Sequence, residues 1–397
     1  MISRYTKAIK LVKIELSYLF ARCVVAFIPL QKNKFFCISM TGNSYGDSIK
    51  CLSDYIASHN PSSSIIWGFT DVFYHLTDCE HNKVKLYTFR YYYHILTSKY
   101  ILSNVSLDKK MLVKREGQVC VQTWHGTALK RIGIDMYTNR KRAWRDFFSG
   151  GMITEYNAKL TDIVVSGSRF MTKILHEKCL YPIQIIHEIG TPRNDIFFQH
   201  QPEVRKKVRA FYGLEADTKI ILYAPTFRAG GDFTYYDVDL PRIKTFFEQN
   251  SGDRYVNLVR LHPNLLRNKE GFLERFSSDT IDASSYPDMI ELLYAADVLV
   301  TDYSSCMFDF MYSYKPIIIY TPDRETYDRG FYLNIDDLPF CSVNNNSQLP
   351  AMLKLFESPN YRNRIDDFLN IIGSAEKGNA TEVLYKLIMS YGKKVIS

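Results

Sequence analysis

The chain has 397 residues, a hydrophobic content of 46% and a formal net charge of +8 at pH 7. This length exceeds what one ordinary hydrophobic core supports, so two α/β domains are expected, and the composition excludes a long disordered or low-complexity region. The eight cysteines are scattered without a Cys-x-x-Cys pair, which indicates a reduced, cytosolic compartment and no structural zinc. The positive charge favours anionic partners, but it does not choose among phosphorylated substrates, anionic lipid and nucleic acid.

Residues 1–30 mix basic and apolar side chains, with Lys7, Lys10 and Lys13 between isoleucines, leucines and a valine. Glu15 and Arg22 interrupt the apolar run, whereas a membrane span needs about 20 apolar residues. We therefore predict a basic amphipathic helix over 1–30. Two roles fit it: contact with an anionic membrane surface, or packing on the first domain with the lysines in solvent.

Short β-rich runs alternate along the rest of the chain with stretches long enough for helices, which is typical of doubly wound parallel sheets. Strands are predicted over 34–40, 64–69, 83–87, 100–103, 119–123, 163–166, 219–224, 255–261, 297–301 and 316–320. Helices are predicted over 203–212, 243–249, 289–295 and 305–313. Because Gln199-His-Gln-Pro202 breaks the pattern, we predict one α/β domain over 31–197, a second over 198–397, and a cleft between them.

Polar side chains follow several predicted strands, at the places where open parallel sheets bind ligands. The first such loop is Trp124-His125-Gly126-Thr127. A histidine suits general base catalysis because its ordinary pKa lies near operating pH, so His125 is a candidate base. A histidine that only caps the following helix would give the same pattern.

Two further loops carry basic side chains. Thr226 offers a hydroxyl and Arg228 a guanidinium fork that matches a phosphate. Arg260 and His262 lie on the same side of the next predicted strand end. For Arg260, a buried ion pair with a carboxylate is the structural alternative to phosphate binding.

The fourth loop, Thr301-Asp-Tyr-Ser-Ser305, joins a predicted strand to a predicted helix. Helix N-termini present unpaired amides and the positive end of a dipole, so this junction is a candidate pyrophosphate site. A plain N-cap is the common alternative for Ser304 or Ser305. Asp309, one helical turn later, either orients Ser305 or a ribose hydroxyl, or is a solvated carboxylate.

Other signals are weak. No G-x-G-x-x-G follows the first strand, and no P-loop, H-E-x-x-H or G-x-S-x-G motif is present. Asp237 and Asp239 have the spacing of a metal-binding pair but lie in a polar stretch with no strand before it, so we predict a surface loop and no metal site. Arg140, Lys141 and Arg142 form a basic run that either holds an anionic acceptor or membrane headgroups or is a solvated face.

Five ordered motifs together resemble the CDP-glycerol glycerophosphotransferase family, whose members make teichoic acids and related capsular polymers. The motifs are Gln122-Thr-Trp-His-Gly-Thr-Ala-Leu-Lys130, Gly190-Thr-Pro-Arg-Asn-Asp195, Leu222-Tyr-Ala-Pro-Thr-Phe-Arg228, Arg260-Leu-His-Pro263 and Thr301-Asp-Tyr-Ser-Ser-Cys-Met-Phe-Asp-Phe310. This sequence departs from the family at Ala128, where proline is usual, and at Ser166-Gly-Ser168, where Ser-Pro is frequent.

The resemblance implies a GT-B-like fold of two facing Rossmann-like domains. It also implies transfer of glycerol phosphate, or a related polyol phosphate, from a CDP-polyol donor to a hydroxyl of a lipid-linked polyol-phosphate or saccharide acceptor, with release of CMP. The implied location is peripheral, on an anionic membrane surface at the cytoplasmic face, with no nucleic-acid partner, no cofactor and no metal.

Residue roles follow from the same resemblance. His125 matches the proposed base, and His262 is a second catalytic candidate close to the donor. The implied donor-binding residues are Gly126, Thr127, Pro192, Arg193, Thr226, Arg228, Arg260, Thr301, Asp302, Ser304, Ser305 and Asp309. Two alternatives keep the motifs but change the activity: a GT-B glycosyltransferase that uses a nucleotide sugar, and a non-catalytic protein that binds anionic polymer or membrane.

Overall fold

The structure is a computed structural model that describes residues 16, 18–25, 27–107, 114–136, 144–228, 234–262, 274–276, 280–327 and 330–394. Within these ranges the chain forms two compact units. The first comprises the residues up to 125, residues 132–195 and those from 375 onward, and the second comprises residues 126–131 and 196–374. No helix in the described ranges is long and apolar enough to cross a membrane.

Thirteen named strands are present in these ranges: β1 Gln31–Ile38, β2 Ser64–Phe69, β3 Asn82–Lys85, β4 Ser98–Ser103, β5 Val119–Gln122, β6 Ile163–Ser166, β7 Ile186–Glu188, β8 Lys219–Tyr223, β9 Tyr255–Val259, β10 Thr280–Asp282, β11 Val298–Thr301, β12 Ile317–Tyr320 and β13 Cys341–Val343. The α-helices are α1 Asp47–His59, α2 Asp71–Leu76, α3 Phe89–Thr97, α4 Trp144–Leu160, α5 Arg169–Glu177, α6 Pro202–Phe211, α7 Leu240–Ser251, α8 Met289–Ala295, α9 Cys306–Phe310, α10 Leu349–Leu353, α11 Asn360–Ile372 and α12 Ala380–Lys394. Residues 18–25 are also helical.

The first unit is built on a parallel sheet of seven strands in the order β3-β2-β1-β4-β5-β6-β7. Its central strands are apolar on both faces because helices cover both sides, as in other parallel sheets. One face packs Phe35, Trp67 and Val121 against Leu384 and Ile388 of α12.

The position of α12 differs from the predicted domain division, which placed all of 198–397 in the second domain. The apolar stripe of α12 completes the core of the first unit, so residues from 375 onward belong there. Residues 126–131 fall in the predicted first domain but belong to the second unit. Arg131 donates its main-chain N–H to the oxygen of Gly330, and the oxygen of Leu129 accepts the N–H of Tyr332, and both partners are in the second unit. The other change of unit, between Asp195 and Ile196, lies close to the predicted boundary at 197.

The second unit contains a parallel sheet of six strands in the order β10-β9-β8-β11-β12-β13. The sequence patterns missed β7, β10 and β13. All three have only three residues and lie at an edge of their sheet, so they are too short to show a period and carry little of the buried apolar signal.

Both sheets reverse their strand order once, between β1 and β4 in the first unit and between β8 and β11 in the second. Ligands of open α/β sheets bind beyond the carboxyl ends of the strands at such a switch point. In the first unit, β1 and β4 are followed by Ser39 and Asn104. In the second unit, β8 and β11 are followed by Ala224 and Asp302. The switch points therefore define where each unit is expected to bind its ligand.

Candidate active site

His125 follows β5 in the first unit, and its exposed imidazole is held from one side. Its Nδ1 lies 2.8 Å from the main-chain oxygen of Asn104, which follows β4. The ring of Trp124 stacks on it with 4.9 Å between the ring centroids. The ring is hydrogen-bonded to this carbonyl. It does not cap a following helix, which was the alternative interpretation, since the next helical segment in the described chain is the 3-10 turn Gly133–Met136.

The environment of His125 favours its neutral form. Neighbouring protein atoms remove part of its water, although the ring reaches solvent, and this desolvation lowers its pKa below the ordinary value of 6.5. The bond to Asn104 and the charge of Asp47 oppose the shift, whereas Arg193 adds to it. Arg193 and Asp47 form an ion pair with 3.2 Å between Nη1 and Oδ1. The imidazole is therefore ready to accept a proton near neutral pH.

Pro192 and Arg193 lie in the first unit, in the 3-10 segment Pro192–Phe198. Both are buried, and Asp195 in the same segment accepts the N–H groups of Ala380 and Thr381 at 2.9 and 2.8 Å, which caps α12. The charge of Arg193 acts on His125, and Pro192 directly precedes Arg193. The other predicted donor-binding residues lie in the second unit.

Glu376 lies at the ends of β6 and β7, where two glycines make room for it. A Cβ on Gly167 or on Gly190 would come within 2.8 or 2.7 Å of a carboxylate oxygen of Glu376. The carboxylate accepts from the Thr191 N–H at 2.8 Å and from Asn194 Nδ2 at 3.0 Å. Burial raises the pKa of Glu376 to about 7, against the lowering effect of these hydrogen bonds.

This raised pKa predicts a pH dependence of the first unit's stability. In the unfolded chain Glu376 titrates near 4.5. Its contribution to the free energy of unfolding of the first unit is therefore fully present below that pH and is lost as pH rises towards 7. A shift of this size corresponds to about 3 kcal/mol. We expect the free-energy advantage of wild type over Glu376→Gln to shrink between about pH 5 and about pH 8. Urea unfolding followed by tryptophan fluorescence measures it, since Trp67, Trp124 and Trp144 all belong to the first unit. A pH-independent difference would contradict the prediction.

In the second unit, the loops after β8 and β11 are fastened to each other. Thr301 donates its hydroxyl to the main-chain oxygen of Ala224 at 2.7 Å, and both carboxylate oxygens of Asp302 accept the Thr226 N–H at 2.9 Å. The hydroxyl oxygen of Thr226 is itself buried and has no hydrogen-bond partner among the described residues. An unpaired buried hydroxyl is costly, which makes Thr226 a candidate ligand contact.

Arg228 is buried between two carboxylates. Its Nη1 lies 2.6 Å from Asp302, while Nε and Nη2 donate to the two oxygens of Asp323 at 2.6 and 3.0 Å. Tyr303 donates its hydroxyl to Asp323 as well. Burial opposes the charge of Arg228, but the hydrogen bonds to Asp323 and the charge of Asp302 outweigh it and raise its pKa. The guanidinium fork expected to meet a phosphate is thus paired with protein carboxylates.

The junction from β11 to α9 presents two partly exposed serines. Ser305 is the N-cap of α9 but makes no side-chain cap hydrogen bond, and Ser304 accepts a long 3.5 Å contact from the Cys306 N–H and also hydrogen-bonds to the Cys306 thiol. The plain N-cap alternative therefore leaves the Ser305 hydroxyl unexplained. Asp309 is 6% exposed, which rules out the alternative of a solvated carboxylate.

Arg260 and His262 follow β9. Arg260 donates Nη1 to the main-chain oxygen of Tyr286 at 2.6 Å, and the charges of Asp288 and Asp282 also act on it. Its Nε and Nη2 make no hydrogen bond to another described residue. His262 is exposed beside Phe227, and desolvation followed by the charge of Lys130 lowers its pKa.

Several residues at these sites escaped the sequence patterns. Asp323 pairs with Arg228 from a loop 95 positions away. Asn104 and Asp47 act on His125, and Glu376 lies at the ends of β6 and β7. None of the three belongs to a motif whose spacing indicates a site. Four non-glycine residues with positive φ mark that region, and backbone strain of this kind clusters at functional sites. They are Met40, Thr41, Asp47 and Trp124.

The weaker sequence signals have structural explanations or lie outside the described residues. Asp237 pairs with Arg275, and Asp239 caps α7 by accepting from the Arg242 N–H at 3.0 Å. Within the described ranges, no group of three or more His, Cys, Asp or Glu side chains is arranged to hold a metal ion. Arg140, Lys141 and Arg142 lie outside those ranges.

Comparison with known proteins shows what the chain resembles. A teichoic acid poly(glycerol phosphate) polymerase of Staphylococcus epidermidis is 31% identical over 370 residues, which cover 88% of this chain and 49% of that protein. A teichoic acid glycerol-phosphate transferase of Staphylococcus aureus is 28% identical, with 90% and 93% covered. The chain thus spans about half the length of the first relative and most of the second.

Among solved structures, the wall teichoic acid polymerase TagF superposes with a TM-score of 0.83 at 27% identity, covering 100% of this chain and 98% of that chain. This match confirms the predicted α/β, GT-B-like fold class. The family model for CDP-glycerol:poly(glycerophosphate) glycerophosphotransferases matches residues 20–390. The chain therefore belongs to that family, as the five motifs predicted.

Proposed function

We propose that this chain transfers glycerol phosphate from CDP-glycerol to a hydroxyl of a teichoic acid polyol-phosphate acceptor, and that it releases CMP. The observation that carries the proposal is the state of His125, an exposed and neutral imidazole fixed through Nδ1 at the end of β5. Family membership supports the choice of donor, and the relatives named above make or extend teichoic acids.

In the proposed reaction, Nε2 of His125 removes the proton from the acceptor hydroxyl. That oxygen attacks the donor phosphorus that carries glycerol, and a new phosphodiester bond forms. The bond between this phosphorus and the oxygen that bridges to the second phosphate breaks, so CMP leaves with the bonding electrons. The proton on His125 then returns to solvent. A positioned base of this kind contributes about 10²- to 10⁴-fold to the rate.

The second unit is proposed to hold the donor at its switch point. The unpaired hydroxyl of Thr226, the hydroxyls of Ser304 and Ser305 and the uncommitted nitrogens of Arg260 are polar groups suited to a diphosphate. His262 adds a further hydrogen-bonding group at the same strand ends. Hydrogen bonds aimed at the phosphates stabilise the charge that develops on the departing CMP.

The remaining predicted residues receive supporting roles in this proposal. Arg228, Asp302 and Thr301 fix the two donor-binding loops relative to each other, since their hydrogen bonds join the loops after β8 and β11. Arg193 and Pro192 shape the surroundings of His125. Gly126 and Thr127 begin the segment after His125, and Asp309 is buried in α9, four residues after Ser305.

The test is product analysis with the purified protein. CDP-glycerol, CDP-ribitol and a nucleotide sugar are each supplied with a polyol-phosphate acceptor, and the released nucleotide and the new linkage are identified by mass spectrometry. The proposal expects CMP and a phosphodiester from a CDP-polyol. Release of a nucleoside diphosphate with a glycosidic product would support the glycosyltransferase alternative, and no turnover with any donor would support the non-catalytic one.

Metal independence is a further proposal. Asp302, a carboxylate suited to magnesium, is already occupied by Arg228 and by the Thr226 N–H. Of the groups proposed to hold the diphosphate, Arg260 supplies positive charge without an ion, and the hydroxyls of Thr226, Ser304 and Ser305 supply hydrogen bonds. We expect CMP release to persist after thorough chelation by EDTA. Activity that disappears with EDTA and returns with magnesium would contradict this.

We also propose that the chain acts at an anionic membrane surface, where a lipid-linked acceptor would lie. The helical residues 18–25 and the residues beside them leave Leu19, Phe20 and Phe27 exposed, next to the basic Arg22. Ala21 and Val25 on the same segment are buried in the first unit's core. One side thus packs on the protein, while the other offers apolar and cationic groups typical of an interfacial helix.

This surface predicts binding to liposomes that contain anionic lipid, weakened at high salt because the electrostatic part is screened. Replacing Leu19, Phe20 and Phe27 together by serine should reduce sedimentation with the liposomes. Deletion of residues 1–30 should do so too, but it also removes the buried Ala21 and Val25. Ile371→Ser on α11 is the matched control, because Ile371 is 79% exposed and belongs to the second unit. Equal sedimentation of all variants would refute the proposal.

A further inference from the structure

The ring of His125 can take only one neutral form in this site. A carbonyl oxygen accepts but never donates, so the 2.8 Å contact with Asn104 O requires a proton on Nδ1. The lone pair of the neutral ring then resides on Nε2, which has no hydrogen-bond partner among the described residues. Asn104 O therefore determines which nitrogen can act as the base.

The side chain of Asn104 holds this carbonyl in place. Asn104 is fully buried, its Oδ1 accepts the Met40 N–H at 2.9 Å, and its Nδ2 donates to Ser39 Oγ at 3.0 Å. These bonds tie the end of β4 to the turn that follows β1, at the switch point of the sheet. Met40 and Thr41 in that turn have φ values of 46° and 54°, a conformation that side-chain-bearing residues rarely adopt without support.

Gln122 fixes the loop that carries His125 to the segment after β4, which contains Asn104 and Val105. Gln122 accepts the Trp124 N–H on Oε1 at 2.9 Å, and it donates Nε2 to the main-chain oxygen of Val105 at 2.9 Å. Both partners of the His125–Asn104 hydrogen bond are thus held by buried amide side chains. Such supporting hydrogen bonds orient a functional imidazole and set its tautomer.

We propose that Asn104 is a positioning residue for the transfer reaction: its side-chain amide fixes the carbonyl that keeps Nδ1 of His125 protonated and leaves Nε2 as the base. The inference rests on the proposed function for its kinetic consequence, but the tautomer itself can be measured without turnover. Asp47 and Arg193 are the charged groups that face the ring from α1 and from the segment after β7.

The direct test is the ¹⁵N spectrum of the histidine-labelled wild-type protein at neutral pH. Nine histidines are present, and the His125 signals are assigned by their loss in His125→Gln. The proposal expects a protonated Nδ1 and an unprotonated Nε2. A ring protonated on Nε2, or an even mixture of tautomers, would overturn it, whatever the variants do.

The kinetic test compares Asn104→Ala with Asn157→Ala. Asn157 is a matched control because it is also buried, accepts the Leu107 N–H and donates to the Ile153 carbonyl. We expect Asn104→Ala to lower kcat about 10- to 100-fold with donor affinity unchanged, and Asn157→Ala to lower it less. Equal kcat losses in the two variants, or an unchanged kcat in Asn104→Ala, would overturn the role of Asn104.

The variant Asn104→Asp adds a readout that a purely structural role would not change. The aspartate keeps the Oδ1 acceptor for the Met40 N–H but adds a negative charge to the residue whose main-chain oxygen contacts the ring, which should raise the pKa of His125. The acid limb of the kcat profile should therefore move to higher pH, and an unmoved limb counts against the proposal. If no CDP-polyol yields CMP, the proposed function fails while the measured tautomer still stands. If His125→Ala retains turnover, the function stands but His125 is not the base, so the kinetic role of Asn104 is overturned, and the two failures are distinguishable.

Discussion

Replacing His125 with alanine should abolish transfer while leaving donor binding nearly intact. The imidazole is proposed to act on the acceptor proton, so its loss removes about 10²- to 10⁴-fold in rate but no contact with the donor's phosphates. The measurement is CMP release at saturating CDP-glycerol, together with the Kd for the donor from calorimetry. Because the site lowers the pKa of His125, wild-type activity should persist below pH 6.5, the ordinary value for histidine.

His176→Ala is the matched control for this experiment. His176 is an exposed histidine of the first unit whose Nδ1 also lies 2.8 Å from a main-chain oxygen, that of Tyr181. It follows no strand and lies near the end of α5. Near wild-type turnover in His125→Ala, or an equal loss in His176→Ala, would remove His125 from the mechanism.

The second large effect is expected on stability. Arg228→Ala leaves Asp302 and Asp323 buried, at 2% and 6% exposed, without their cation. Removing one partner of a buried ion pair costs about 3–5 kcal/mol, a large part of the roughly 5–15 kcal/mol that stabilises a typical domain. Hydrogen exchange of peptides from β8, β11 and β12 should accelerate strongly. The tryptophan fluorescence transition, which reports the first unit, should move less.

Two comparisons make this prediction specific. Arg324 also contacts both oxygens of an aspartate, Asp336, but that carboxylate is 63% exposed, so Arg324→Ala should cost no more than about 1 kcal/mol. Adding Asp302→Asn and Asp323→Asn to Arg228→Ala should recover part of the loss by removing the unpaired charges. Similar exchange rates in Arg228→Ala and Arg324→Ala would show that the buried network is not what holds the loops.

The sequence predicted the elements whose signal is local. The strand at 163–166 and the helix at 289–295 match β6 and α8 at both ends, because each is a short apolar or amphipathic run bounded by turn residues. The placement of candidate residues at strand ends was also predictable, since parallel sheets bring their carboxyl ends to one edge.

Long-range pairing could not be predicted in the same way. Arg228 was expected to face a phosphate because a guanidinium fork suits either a phosphate or a carboxylate, and the choice depends on loops 74 and 95 residues away. Asn104 has no recognisable spacing to His125, because the contact that matters comes from a main-chain oxygen. The side chain only holds that oxygen in place.

The placement of α12 has a consequence for how the chain folds during synthesis. The second unit is almost contiguous, from 196 to 374, and can form once that stretch has left the ribosome. The first unit cannot, because Leu384 and Ile388 are part of its core and are made later. Until α12 has been synthesised, the apolar faces of β1, β2 and β5 that it covers remain exposed. The nascent first unit is therefore the part that needs protection from aggregation, although most of it is translated before the second unit.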